Sequence, residues 1–126
     1  MATRSHIGKQ LPDGSVRFIY CHFDGYPEHN GQILVEHYKD ESKVDQLLEL
    51  GDLSMLRPEI GEEQDFDRTE THNNNWCLAY ERDRKDSDKK ATLSYFDDFL
   101  GQTYNYLFKD GKWHCYTDNG YELIIQ

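Results

Sequence analysis

Leu11-Pro12-Asp13-Gly14-Ser15-Val16-Arg17-Phe18-Ile19-Tyr20-Cys21-His22 is the stretch on which the fold turns. Residues 11–15 form a turn with a mechanism: Pro presets φ and Gly accepts positive φ. Residues 16–22 are rich in β-branched and aromatic side chains, the composition of a strand. Val16, Phe18 and Tyr20 share one face, and Arg17, Ile19 and Cys21 the other. Both faces are partly apolar, which predicts a strand inside a sheet rather than at its edge. Upstream, residues 2–8 read as the strand on the other side of the turn.

Downstream, Asp24-Gly25-Tyr26-Pro27 ends the second strand, because Gly and Pro punctuate regular structure. The spacing of Ile33, Leu34 and His37 or Tyr38 predicts a helix over 30–38. Asp40 caps a second helix through Val44, Leu47, Leu48 and Leu50, with Gly51 at its C-terminal end. Residues 57–75 carry no periodic pattern and read as a long acidic loop. Residues 76–82 read as a third strand and 83–90 as a solvated, charged connection. A short helix is expected over 91–100, presenting Leu93, Phe96, Phe99 and Leu100. Residues 103–108 and 113–117 form a hairpin around Asp110-Gly111, a strong hairpin turn. Asp118-Asn119-Gly120 makes a further turn, and 121–125 a last strand. The expected order is ββ-αα-β-α-βββ. That order predicts an α+β fold: one domain over 1–126, with a single mixed, mostly antiparallel sheet and about three helices on one face.

The chain has 126 residues, with 24 acidic against 14 basic side chains and a net charge of -10. Gripping phosphates needs a basic footprint, so direct nucleic-acid binding is not expected. Long-range attraction favours basic partners instead. Nine Tyr, six Phe and two Trp can fill a core despite few aliphatics. Cys21, Cys77 and Cys115 are odd in number and follow no apolar leader, which fits free thiols in a reducing cytoplasm. No apolar stretch approaches the roughly 20 residues needed to cross a bilayer, so no membrane role is expected.

Four constellations could carry chemistry. His22 and Asp24 sit at a strand end beside flexible backbone, with Tyr26 following. Two residues apart on extended backbone, they project to one side and could act as base and orienter in a small hydrolase or nuclease. The plainer reading is that His22 caps the strand and Asp24 turns the chain. Arg82 and Arg84 could fork onto a phosphate or carboxylate, with Trp76 and Tyr rings for stacking, so that a nucleotide-like small molecule binds. The plainer reading pairs them locally with Asp83, Asp86 and Asp88. Cys21-His22 and His114-Cys115 are adjacent pairs on strands and point to opposite faces, so neither gives two ligands to one ion; no metal or other cofactor is expected. Glu59, Glu62, Glu63, Asp65, Asp67 and Glu70 form an acidic surface able to dock on a basic groove, or simply a solvated one. No P-loop, G-x-G-x-x-G, G-x-S-x-G or H-E-x-x-H motif is present.

Tyr20-Cys21-His22-Phe23-Asp24-Gly25-Tyr26-Pro27 resembles a signature of small accessory proteins encoded by tailed bacteriophages and prophages. The resemblance extends to Thr3-Arg4-Ser5-His6-Ile7-Gly8, the helix from Leu34 to Tyr38, Leu50-Gly51-Asp52-Leu53-Ser54, Ala79-Tyr80-Glu81-Arg82-Asp83-Arg84 and Tyr104-Asn105-Tyr106-Leu107-Phe108. It spans most of the chain and carries over no catalytic residue. It implies a phage accessory gene expressed in the cytoplasm of a bacterial host. Such a product is expected to be a non-enzymatic binder that inhibits a bacterial host or anti-phage defence protein. A minor virion-associated protein is the further alternative.

Overall fold

The computed structural model describes residues 2–125 and shows an α+β fold built on one mixed sheet. Strands β1 (Ser5–Gln10) and β2 (Val16–Cys21) form the first antiparallel hairpin. Its turn closes through Leu11 N donating to Ser15 O at 2.8 Å, while Gly14 takes φ 89°. After β2 come a wide helical turn at Pro27–Gly31, helix α1 (Gln32–His37), helix α2 (Glu41–Leu50) and strand β3 (Leu53–Met55). Beyond the acidic segment lie β4 (Leu78–Ala79), α3 (Tyr80–Arg84), β5 (Thr92–Ser94) and α4 (Phe96–Phe99). Strands β6 (Tyr104–Lys109), β7 (Lys112–Thr117) and β8 (Glu122–Leu123) complete the chain.

The sheet order is β4-β3-β2-β1-β6-β7-β8, with β5 pairing to β2 off that path. β2 is interior, as its two apolar faces require. β1 pairs along one edge, while β5 and β3 share the other. β1 runs parallel to β6, which joins the N-terminal hairpin to the C-terminal meander.

Side-chain alternation divides the core in two. Ile7, Ile19, Cys21, Tyr106, Phe108, Trp113 and Cys115 face α1 and α2, and meet Leu34, Tyr38, Val44, Leu47 and Leu48. Full burial of Val44, Leu47 and Leu48 on one side of α2 stabilises the fold by roughly 5–9 kcal/mol at most. Val16, Phe18, Leu107 and Tyr116 point the other way and pack on Phe99 of α4. The helices therefore divide between the faces, two on one and α4 on the other, rather than sharing one.

Four elements differ from the sequence expectation. Residues 92–94 are strand β5 rather than part of a helix, because β3 meets β2 only at Cys21 and leaves the Val16–Phe18 ladder open. Phe96 and Phe99 keep the expected helical spacing in the single turn of α4. The strand expected over 76–82 stops at Ala79, because the Asp83 carboxylate accepts from Ala79 N at 2.7 Å and draws the chain into α3. β3 had no sequence signal: at three residues it is too short to show a period. The last strand is confined to Glu122–Leu123.

Candidate functional site

The strand end at His22 is held from all sides. His22 N and Phe23 N donate to Leu53 O and Ser54 O at 3.0 and 3.1 Å, prolonging the sheet past β2. Asp24 adopts φ 58°, a left-handed turn that Asp tolerates. Gly25 presses on the start of β1: a Cβ there would stand 2.8 Å from Thr3 O and 2.9 Å from Ser5 Cβ. Tyr106 donates its hydroxyl to Gly25 O at 2.6 Å. Fully buried Asn30 donates to Ser5 Oγ and Cys21 Sγ at 3.3 and 3.4 Å. Much of the motif over 20–27 thus does packing work.

Its chemistry differs from a His–Asp pair. The His22 Nδ1 partner is the Tyr20 hydroxyl at 2.7 Å, and no hydrogen bond links His22 to Asp24 among the described residues. Burial raises the Tyr20 pKa, so the phenol stays a hydroxyl. Tyr26 is 37% exposed and lies near His29, with ring centroids 6.1 Å apart. Cys21 and Cys115 lie on the sheet face that α1 and α2 cover, while His22 bonds Tyr20 and His114 lies near Tyr116 of the other face.

The acidic segment is a strap clamped by one buried hub. The Asp83 carboxylate has no exposed side-chain surface. It accepts from Ala79 N and Gln64 N at 2.7 and 2.8 Å, and from Arg82 Nε and Nη2 at 2.9 and 3.1 Å. Arg82 also donates Nη1 to Ile60 O and Nη2 to Cys77 O at 2.9 and 2.7 Å. Arg82 is therefore a structural clamp rather than a free fork. Arg84 chelates Asp86 and lies over the Phe66 and Tyr80 rings at 4.9 and 4.6 Å, which holds the middle of the strap. Trp76 packs closely on Gly61, where at φ 71° a Cβ would stand 2.2 Å from Trp76 Cγ. Glu59 pairs with Trp76 in an isolated bridge.

With its backbone fixed, the strap turns Glu59, Glu62, Glu63, Asp65, Asp67 and Glu70 to solvent. Lys85 neutralises Glu63 at 2.6 Å, and Arg68 meets Glu70 at 3.4 Å. Glu62, Asp65 and Asp67 have no salt bridge among the described residues. None of the candidate ligand residues His22, Asp24, Tyr26, Trp76, Arg82 and Arg84 lines the clefts of about 730 and 190 Å³. The Asp83 hub and the Phe66 anchor escaped sequence reading. The Arg82-Asp83-Arg84 run signals local pairing, but not that Asp83 reaches Gln64 across the loop.

All three thiols are buried. Burial pushes Cys21 up to about 12 and Cys115 up to about 11, and raises Cys77 as well. Such thiols are poor nucleophiles near neutral pH. Among the described residues no helix is long and apolar enough to cross a membrane. No protein-family model matches the chain, and neither does any curated protein or solved structure.

Proposed function

We propose that this chain is a non-enzymatic binding protein that docks the acidic strap onto a basic patch of a partner protein. The carrying observation is the pairing of a fixed strap backbone with outward carboxylates. Arg82, Asp83 and the Phe66–Arg84–Tyr80 stack hold the strap, and Glu62, Asp65 and Asp67 stand unneutralised on it. Pre-ordering lowers the entropy lost on binding. A net charge of -10 adds long-range attraction to basic surfaces. Together with the phage resemblance, this favours an accessory protein that binds and inhibits a bacterial host or anti-phage defence component in the host cytoplasm.

Capture of a nucleotide-like signal by Arg82 and Arg84 draws no support from this geometry, because both guanidinium groups are engaged within the chain. A hydrolase built on His22 and Asp24 draws none either, since His22 bonds Tyr20. The test is a pull-down from bacterial lysate at low and high salt, with wild type beside a Glu62→Lys/Asp65→Lys/Asp67→Lys variant. A partner held by wild type, lost by the variant and released by salt is expected, because the screening length falls to about 3 Å at 1 M salt. Equal retention by both proteins would overturn the proposal.

A further inference from the structure

Asn-Gly occurs twice in the chain, at Asn30-Gly31 and Asn119-Gly120. The backbone nitrogen after an asparagine can attack the side-chain carbonyl carbon. Glycine makes that attack easiest, because it has no Cβ to crowd the approach and leaves the backbone free to turn. Whether the attack happens then depends on how tightly the fold holds each asparagine.

Asn30 is locked. It is fully buried, and its Nδ2 donates to Ser5 Oγ and Cys21 Sγ at 3.3 and 3.4 Å. Its Oδ1 bonds His29 Nδ1 at 2.9 Å, so the carbonyl carbon is held from both sides. Gly31 is buried in the same helical turn, where a Cβ would stand 3.3 Å from Tyr106 Cε1.

Asn119 is held by almost nothing. Asp118, Asn119 and Gly120 are all exposed in the turn between β7 and β8. No hydrogen bond engages the Asn119 side chain among the described residues. Around Gly120 a Cβ would meet nothing nearer than Leu100 Cδ1 at 3.7 Å. Gly120 N donates to Thr117 O, and Thr117 N to Tyr121 O, each at 2.9 Å. Beyond that turn β8 pairs with β7 only through Glu122 and Leu123. So short a ladder frays at low cost, which frees the Gly120 nitrogen.

We propose that Asn119 is a site of spontaneous deamidation. Gly120 N bonds to Asn119 Cγ and closes a succinimide ring. The bond from Cγ to Nδ2 breaks, the Gly120 amide proton is transferred through solvent, and ammonia leaves. Water then adds at either ring carbonyl and opens the ring to aspartate or isoaspartate, with no change of oxidation state. Either product sets a new carboxylate beside Asp118. Isoaspartate also lengthens the backbone of the turn by one carbon. Turn length fixes hairpin register, so the pairing of Glu122 with Tyr116 and of Leu123 with Cys115 loosens. The site lies outside the strap and the strand end.

The test is incubation of the native protein at mildly alkaline pH, followed by peptide mapping with mass spectrometry and an isoaspartate assay. The Asn119 peptide should convert at least about tenfold faster than the Asn30 peptide, because Asn30 reacts only when the core opens. In urea the two should convert at similar rates, which assigns the difference to folding. Isoaspartate should form at 119, since direct hydrolysis of the amide yields aspartate alone. Asn119→Gln should lack the new acidic species. Native conversion at Asn30 as fast as at Asn119, no conversion at Asn119 while the unfolded protein converts, equal protection lost in neither site on unfolding, aspartate without isoaspartate, or an unchanged acidic species in Asn119→Gln would each overturn the assignment.

Discussion

Asp83→Asn tests whether one buried carboxylate holds the acidic strap. The substitution preserves shape and removes the charge. Asp83 serves four donors with two oxygens: Gln64 N and Arg82 Nε on one, Ala79 N and Arg82 Nη2 on the other. An amide keeps one oxygen and turns an NH2 toward the other two donors. Either orientation leaves one buried backbone N–H unpaired, which costs about 1–3 kcal/mol. Arg82 also loses its counter-charge. Removing one partner of a fully buried pair costs about 3–5 kcal/mol, but here Arg82 is 17% exposed and keeps two carbonyl acceptors. The expected destabilisation is therefore about 2–4 kcal/mol, or a fall in Tm on the order of 10 °C for a domain of this size. Urea unfolding measures the total. Amide exchange locates it: Gln64, Phe66 and Ala79 should lose protection before Ile7 and Tyr106. A change below about 0.5 kcal/mol, in the range of ordinary surface substitutions, would refute the hub.

Three further outcomes follow from the same contacts. Gly25→Ala should destabilise by about 1–3 kcal/mol in urea unfolding, because its Cβ would meet Thr3 O at 2.8 Å and Arg4 C at 3.0 Å, backbone atoms that cannot swing aside. Native protein should leave Cys21, Cys77 and Cys115 unlabelled by a thiol reagent at neutral pH and expose all three on unfolding; labelling without unfolding would contradict their burial. His6 is held neutral: burial lowers its pKa below 6.5, although its hydrogen bond to Phe99 O acts the other way. The unfolded state then binds the proton more readily, so its contribution to stability is full above pH 6.5 and is lost as pH falls toward the folded pKa. His6→Gln should flatten that part of the stability–pH curve measured by chemical unfolding.

Much of the fold was legible because it is written in local pattern. The Pro-Asp-Gly and Asp-Gly turns closed the hairpins where expected, and β2 alternates Val16, Phe18 and Tyr20 against Ile19 and Cys21. The α2 stripe of Val44, Leu47 and Leu48 with its Asp40 cap needs only helical spacing to be seen. β3 and β5 were hidden because three-residue strands carry no period; each is fixed by pairing with distant strands, β5 with β2 and β3 with β2 and β4. The candidate sites read less well. His22 and Asp24 share a side of extended backbone, yet the left-handed turn at Asp24 redirects the chain and Tyr20 takes the imidazole.

The sequence by itself determined the class: an acidic chain with an α+β pattern, turns at fixed places, and no motif for phosphate or metal chemistry. These follow from composition and short-range spacing. Only the tertiary structure decided which charges are free. Arg82 and Arg84 look alike in sequence, as cations near acids. Folding brings Ile60, Cys77 and Asp83 onto Arg82 and Asp86 onto Arg84, and leaves Glu62, Asp65 and Asp67 without a salt bridge among the described residues. Whether a charge is available depends on partners distant along the chain, and only packing brings those partners within hydrogen-bonding reach.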